Sequence, residues 1–172
     1  MSDMGTSTTD NTWPNTETYT WPEGIRCGAA LSFDVDGESG ILAIDPKYAQ
    51  RLSALAWAKY GPKVGVPRIL DMLRKKGVKA SFFVPGYTAE LYPKLVERIH
   101  AEGHEVGVHG YIHKKPSDLS DLEEETALVK TCRILKDITG VQPTGYRSPW
   151  WDMKVSTPAL LARHDMRYDS SL

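Results

Sequence analysis

The sequence predicts an α/β protein of parallel strands, a distorted (β/α) barrel that is incomplete at its C-terminus. Three observations predict it. Short apolar runs alternate with amphipathic helical segments along the chain. The helical segments stop at glycines, at Gly61, Gly77, Gly103 and Gly140. The residues best suited to chemistry follow the strands, on the rim where β/α folds place their sites. Five strands are too few to close a barrel of about eight, so the expected shape is an arc.

Each element has its own signal. Gly28 to Phe33 is an apolar run that reads as the first strand, delivering Asp34 and Asp36 into a turn at Gly37. Asp45-Pro46 is a cap followed by proline, the start of a helix expected to reach about Lys59. Its Leu52, Leu55, Ala56 and Trp57 suit a partner as well as a core. Val66-Pro67 opens a second helix with Ile69, Leu70 and Leu73 as its apolar stripe, and Lys75-Lys76-Gly77 ends it. Val78–Val84 is the second strand, stopped by Pro85-Gly86. A third helix from about Ala89 to Glu102 carries Leu91, Leu95, Val96 and Ile99 on one side. His104–His109 is the third strand. Ser120-x-x-Glu123 is a capping box for a fourth helix, whose stripe of Leu128, Cys132, Leu135 and Ile138 runs to Gly140. Pro143–Arg147 is a short strand, Thr157-Pro158 starts a helix ending near His164, and Met166–Asp169 begins a fifth strand.

The 172 residues suffice for one domain, expected over residues 25–172. Residues 1–24 are expected to be disordered or loosely docked. The first 20 are rich in Thr, Ser, Asn and Asp and lack the basic and apolar regions of a secretory signal. Trp13-Pro14 and Trp21-Pro22 are its candidate anchors. The formal net charge is −1 with both signs interspersed, so no basic footprint for nucleic acid is expected. No apolar run reaches the roughly 18 residues of a membrane span. Cys27 and Cys132 lack metal-type spacing and are expected to be buried free thiols, which suits a reducing, cytoplasmic setting.

Two constellations point to chemistry. Ionised carboxylates are seldom buried unpaired, so Asp34 and Asp36 at a strand end invite a functional role, although an Asx turn would also explain them. His109 and His113 are four apart, which on a helical turn leaves about 5–6 Å between their Cβ atoms. By itself such a pair is more often two unrelated histidines. Two imidazoles and one carboxylate with an open position make a catalytic metal set. Arg147 closes another strand and could pair with a rim carboxylate or make a plain surface salt bridge. His100, His104 and His164 are expected to be structural. No nucleophile elbow, dinucleotide fingerprint, phosphate loop or rim cysteine is present.

Taken together, Ser32-Phe-Asp-Val-Asp-Gly37, His109-x-x-x-His113 and Tyr146-Arg-Ser-Pro-Trp150 resemble the polysaccharide deacetylases, the NodB-homology or family 4 carbohydrate esterases, from about Gly28 to Leu172. The resemblance implies the distorted barrel and hydrolysis of N-acetyl groups on amino-sugar polymers with a divalent metal, zinc. It implies Asp34 as general base, and Asp36, His109 and His113 as metal ligands. Arg147 would hold Asp34 in place and Trp150 would wall the acyl pocket, with Tyr146 and Tyr111 also expected at the substrate. Val35 separates two aspartates that are usually adjacent in this family. That D-x-D form resembles the branch of cytoplasmic peptidoglycan-deacetylase-like proteins and allantoinase or cyclic-imide hydrolases. A small cyclic amide is therefore the alternative substrate, and an inactive metal- or sugar-binding module a third reading. The family's late His motif, its usual general acid, is absent. A fragment or another acid is then expected, and an open sheet edge predicts a homo-oligomer.

Overall fold

All five expected strands are present in the computed structural model, which describes residues 21–172. They are β1 (Ser32–Asp34), β2 (Ser81–Val84), β3 (Glu105–Val108), β4 (Gly145–Tyr146) and β5 (Tyr168–Asp169). Every pairing is parallel and the spatial order is the chain order. A doubly wound sheet would reverse its order. A sequential one with right-handed crossovers puts its helices on a single face, as in an arc of a barrel.

The two faces of the sheet differ in kind. Side chains alternate along a strand, so Phe82, Val84, Val106, Val108 and Tyr146 turn to one side and are buried there. The helices cover them with Leu70, Leu73, Val96, Ile99, Leu128, Leu135, Leu160 and Leu161. The opposite face carries Ser32, Asp34, Phe83 and Gly107, the last three in one register row. A Cβ at Gly107 would fall 2.7 Å from the Phe83 ring, so glycine lets that ring lie across the sheet.

The helical side is cut more finely than the sequence predicts. An unforeseen helix α1 (Glu38–Ile44) follows β1 directly. Asp45 does cap the next turn, accepting from the Lys47 amide at 2.9 Å. That turn is a short 3₁₀ segment, Pro46–Gln50, and the expected helix to Lys59 divides into it and α2 (Leu52–Ala58). Arg51 between them is extended, and Leu52 and Trp57 are left exposed. A π turn at Gly61–Gly65 leads into α3 (Val66–Lys76), which ends at a left-handed Gly77. The helix expected over 89–102 is two helices, α4 (Gly86–Leu91) and α5 (Pro93–Ala101), because Pro93 starts a new helix; Leu91 ends outside the core. Helix α6 (Asp121–Thr139) has the predicted capping box and ends at a left-handed Gly140, and α7 (Thr157–Arg163) follows β4.

Two further corrections concern the beginning of the chain. The first strand starts at Ser32 rather than Gly28, since β2 begins at Ser81 and offers nothing upstream to pair with. Cys27 consequently lies outside the core and is exposed, whereas Cys132 is buried. Residues 1–20, with Trp13, lie outside the described residues. Trp21 lies against Gly28, where an added Cβ would stand 3.1 Å from the indole. No helix among the described residues is long and apolar enough to cross a membrane.

Candidate active site

The site is built where the strands end. On β1 and the extended residues just after it, the two-residue period sends Ser32, Asp34 and Asp36 to one side and Phe33 and Val35 to the core. The D-x-D spacing thus makes both carboxylates neighbours on the rim. The Asp36 carbonyl accepts hydrogen bonds from Ser39 Oγ at 2.7 Å and Thr88 Oγ1 at 2.6 Å. These two hydroxyls, which the sequence did not single out, fix the backbone that carries the second aspartate. Glu38 beside them is buried, and Tyr92 donates to its carboxylate at 2.8 Å.

Asp36, His109 and His113 converge. One ligand atom from each lies within 4.8 Å of the other two. His109 Nε2 is 3.5 Å and His113 Nε2 3.6 Å from Asp36 Oδ1. The expected helical turn does not form. His109 follows β3, and the chain returns through left-handed Gly110 (φ 64°) and left-handed His113 (φ 58°). A loop, not a helix face, brings the rings to 4.9 Å. The Arg147 carbonyl lies 2.7 Å from His109 Nδ1. A carbonyl can only accept, so Nδ1 carries the proton and Nε2 presents a lone pair. Burial, the largest influence, holds the His113 imidazole below its ordinary pKa against the pull of Asp36. Both rings thus turn a nitrogen toward Asp36, where a cation could be bound. Asp36 Oδ1 and His113 Nδ1 are buried without a hydrogen-bond partner among the described residues. An acceptor left so costs about 1–3 kcal/mol. A divalent cation between the three side chains would satisfy Asp36 Oδ1, so this donor set fits a metal.

Asp34 is held quite differently. Arg147 Nη1 donates to its Oδ1 at 2.7 Å. The same guanidinium donates to Ser32 Oγ at 2.8 Å and to Ser170 Oγ, and lies 4.3 Å from the centre of the Phe83 ring. Arg147 follows β4, Ser32 and Asp34 belong to β1, and Ser170 follows β5. One side chain thus ties three strand ends together across the face opposite the helices. Flat strands spaced roughly 4.8 Å apart would put β1 and β4 about 14 Å from each other, so this contact marks a curled sheet.

Trp150 and Trp151 complete the cavity, of about 210 Å³, together with Asp34, Asp36, His109 and His113. Trp150 donates from Nε1 to the His113 carbonyl at 3.1 Å, and both tryptophans are left-handed, at φ 63° and 53°. Ile44 from the unforeseen α1 lines the far side. Two of the expected substrate residues are placed elsewhere. Tyr111 donates to Glu90 at 2.9 Å and carries Lys130 Nζ 3.6 Å from its ring centre. Tyr146 is buried on the helix side of the sheet. Both line a separate cavity against α6. Rim position could have flagged Ser170, just past the end of β5, and Thr88, in the helix that follows β2; nothing in the sequence marked Phe83 as the surface beneath Arg147.

Comparison with known proteins agrees with this geometry. The chain is 40% identical over 113 residues to a peptidoglycan deacetylase of Helicobacter pylori, which covers 66% of this chain and 39% of that protein. It is 31% identical over 149 residues to a peptidoglycan deacetylase-like protein of Gibberella zeae, covering 86% and 44%. A solved Mycobacterium smegmatis structure assigned to the polysaccharide deacetylases superposes with a TM-score of 0.86 at 42% identity, covering 90% of this chain and 54% of that one. The chain therefore spans about two fifths to one half of the length of these relatives. A family model described as polysaccharide deacetylase matches residues 58–168, a span that includes His109, His113, Arg147 and Trp150 and begins after Asp34 and Asp36. By strand order, by site and by the matched span, the chain belongs to the polysaccharide deacetylase family.

Proposed function

We propose that this chain hydrolyses the N-acetyl group of an amino sugar within a polymer or oligomer, using a divalent metal, with zinc as the ion. The observation that carries the proposal is one small cavity holding a Asp/His/His donor set beside a second carboxylate tied to an arginine. Zinc suits two imidazole nitrogens and one carboxylate oxygen with a position left open. Bound there, the ion would polarise the amide carbonyl and make a water molecule more acidic.

The rest falls to the side chains. Asp36, His109 and His113 would hold the ion, and the Arg147 carbonyl keeps His109 in the tautomer that leaves Nε2 free for it. Asp34 takes a proton from the attacking water as its oxygen bonds to the carbonyl carbon. Arg147 fixes the direction from which Asp34 approaches. When the C–N bond breaks, the proton on Asp34 is available to the leaving nitrogen, which departs as an amine beside acetate. Trp150 and Trp151 wall the cavity around the acyl group. The test is a panel of N-acetylglucosamine oligomers, allantoin and succinimide, with acetate release and ring opening followed for the protein supplied with zinc. Acetate from the oligomers alone supports the proposal. Ring opening of a cyclic amide without acetate release would transfer the same site to the cyclic-amide reaction, and inertness toward every substrate would leave a binding module.

A further inference from the structure

Helix α2 reads Leu-Ser-Ala-Leu-Ala-Trp-Ala, yet none of its residues is buried. A globular helix of that composition ordinarily turns its apolar side to a core. Here α2 packs on α1 and the 3₁₀ turn, with only Ala54, Leu55 and Ala58 half-buried. The backbone stays helical through Lys59 and Tyr60, so Leu52, Ala56, Trp57 and Tyr60 share one side, at i, i+4, i+5 and i+8. Leu52 is 82% exposed, Trp57 77% and Tyr60 56%. Ile44 before the helix and Val64 after it are exposed as well. Single exposed apolar residues are ordinary, but a row of them marks an interaction surface.

The charge on this stretch is one-sided. From Pro46 to Leu70 the chain carries Lys47, Arg51, Lys59, Lys63 and Arg68 and no acid. Among the described residues none of these five is in an ion pair. Arg51 lies over the Tyr48 ring, 5.1 Å from its centre. The acids of the adjoining elements do not balance them. Glu38 of α1 is buried and accepts from Tyr92, and Asp71 of α3 holds Arg74 and Arg98. Asp45 caps the Lys47 amide; set against Lys47, it still leaves the other four cations unmatched.

We propose that this face docks on a bilayer surface containing anionic phospholipid, with Leu52, Trp57 and Tyr60 entering the headgroup region and Lys59 and Lys63 meeting lipid phosphates. A second copy of the chain would cover the apolar row, but a two-fold contact sets the same cations against each other. A soluble polyanion meets the cations and leaves the leucine and the tryptophan in water. An anionic bilayer takes both: aromatic rings settle at the headgroup level, and lysine stems lie along apolar surface while their ammonium groups reach the phosphates. Helix α1 joins this face to the active site, since it packs on α2 and lines the cavity through Ile44. The inference does not depend on which reaction the site performs.

Vesicle sedimentation tests it with the whole 172-residue chain. Vesicles of phosphatidylcholine alone are compared with vesicles to which phosphatidylglycerol is added. The chain is expected to pellet with the anionic vesicles and to stay in solution with the neutral ones. Lys59→Gln with Lys63→Gln should weaken that binding about ten- to thirtyfold, while Lys59→Arg with Lys63→Arg keeps it. Added salt weakens it too. Leu52→Ser with Trp57→Ser, two exposed positions whose replacement spares the core, should abolish it. Anionic vesicles should also shift tryptophan emission to the blue, a shift that Trp57→Phe loses while still binding. No pelleting with anionic vesicles, or binding that either the glutamine pair or the serine pair leaves intact, overturns the proposal. An oligomer that forms without lipid, dissociates in the serine pair and ignores vesicles would give the face to a second copy and overturn it as well.

Discussion

Asp34 and Asp36 lie two residues apart at the end of β1, yet their surroundings are opposite. Asp34 is paired through Oδ1 with a guanidinium 2.7 Å away that is itself anchored to Ser32 and Ser170. Asp36 keeps its backbone carbonyl tied by two hydroxyls while its Oδ1 is buried without a hydrogen bond, facing two imidazoles. The fold spends a positive charge on one carboxylate and withholds it from the other. A pair used only to cap a turn would not be divided this way. Under the proposed function, this difference would make the Asp34 half direction-setting and the Asp36 half cation-holding.

Breaking the arginine-paired half has the largest expected effect. Arg147→Leu frees Asp34 from its anchor, and misplacing a reacting group by about 1 Å can cost on the order of 10²-fold in rate. Acetate release should fall by about that factor while zinc content, read by elemental analysis, stays near the wild-type value. Arg147→Lys recovers only part of it, because one ammonium cannot replace a planar fork that serves Asp34, Ser32 and Ser170 together. Loss of the metal in Arg147→Leu would erase the distinction between the halves.

A smaller effect comes from the other half. Thr88→Val removes a hydroxyl that donates to the Asp36 carbonyl without touching the donor set. The expected costs are about 1 kcal/mol in urea unfolding and about tenfold in zinc affinity. Unchanged zinc affinity would mean that β1 alone fixes Asp36.

The smallest effect sharpens the comparison from outside the site. His104 is buried, and its Nδ1 accepts from the Ala80 amide at 3.2 Å. Burial, with Lys79 adding to it, lowers its pKa below the ordinary imidazole value. The unfolded chain then binds the proton more readily than the folded one, so this contribution is present above about pH 6.5 and is lost as pH falls through the unfolded value toward the folded one. Urea midpoints measured from pH 7 to pH 5 should decline less steeply in His104→Asn than in the wild type. Parallel declines would assign the pH dependence elsewhere, with His113 the other buried imidazole of the same sign.

Much of this was legible in the chain. The five strands, the capping box at Ser120 and the left-handed Gly77 and Gly140 follow from local signals that tertiary packing did not override. The three rim motifs meet because strand ends share an edge, which is topology rather than propensity. The helix expected from Asp45-Pro46 to about Lys59 divides because its break lies in a backbone torsion, extended Arg51, that no residue type there demands, and nothing in the sequence signals the helix at Glu38–Ile44. The loop bringing His113 to His109 was missed because a four-residue spacing looks helical, and the left-handed His113 that undoes it is an unusual choice for a residue bearing a Cβ. The family resemblance places Tyr111 and Tyr146 at the substrate, but the turn of the loop and the strand alternation send them to the helix side.

The division of labour between the two aspartates is tested most directly by Asp34→Asn and Asp36→Asn, prepared side by side and assayed for zinc by elemental analysis and for acetate release from N-acetylglucosamine oligomers. Asp34→Asn should keep its zinc and lose roughly 10²–10⁴-fold in turnover, the range for removing a general base. Asp36→Asn should lose the zinc. A zinc-free Asp34→Asn, or an Asp36→Asn that retains the metal in full, would contradict the assignment.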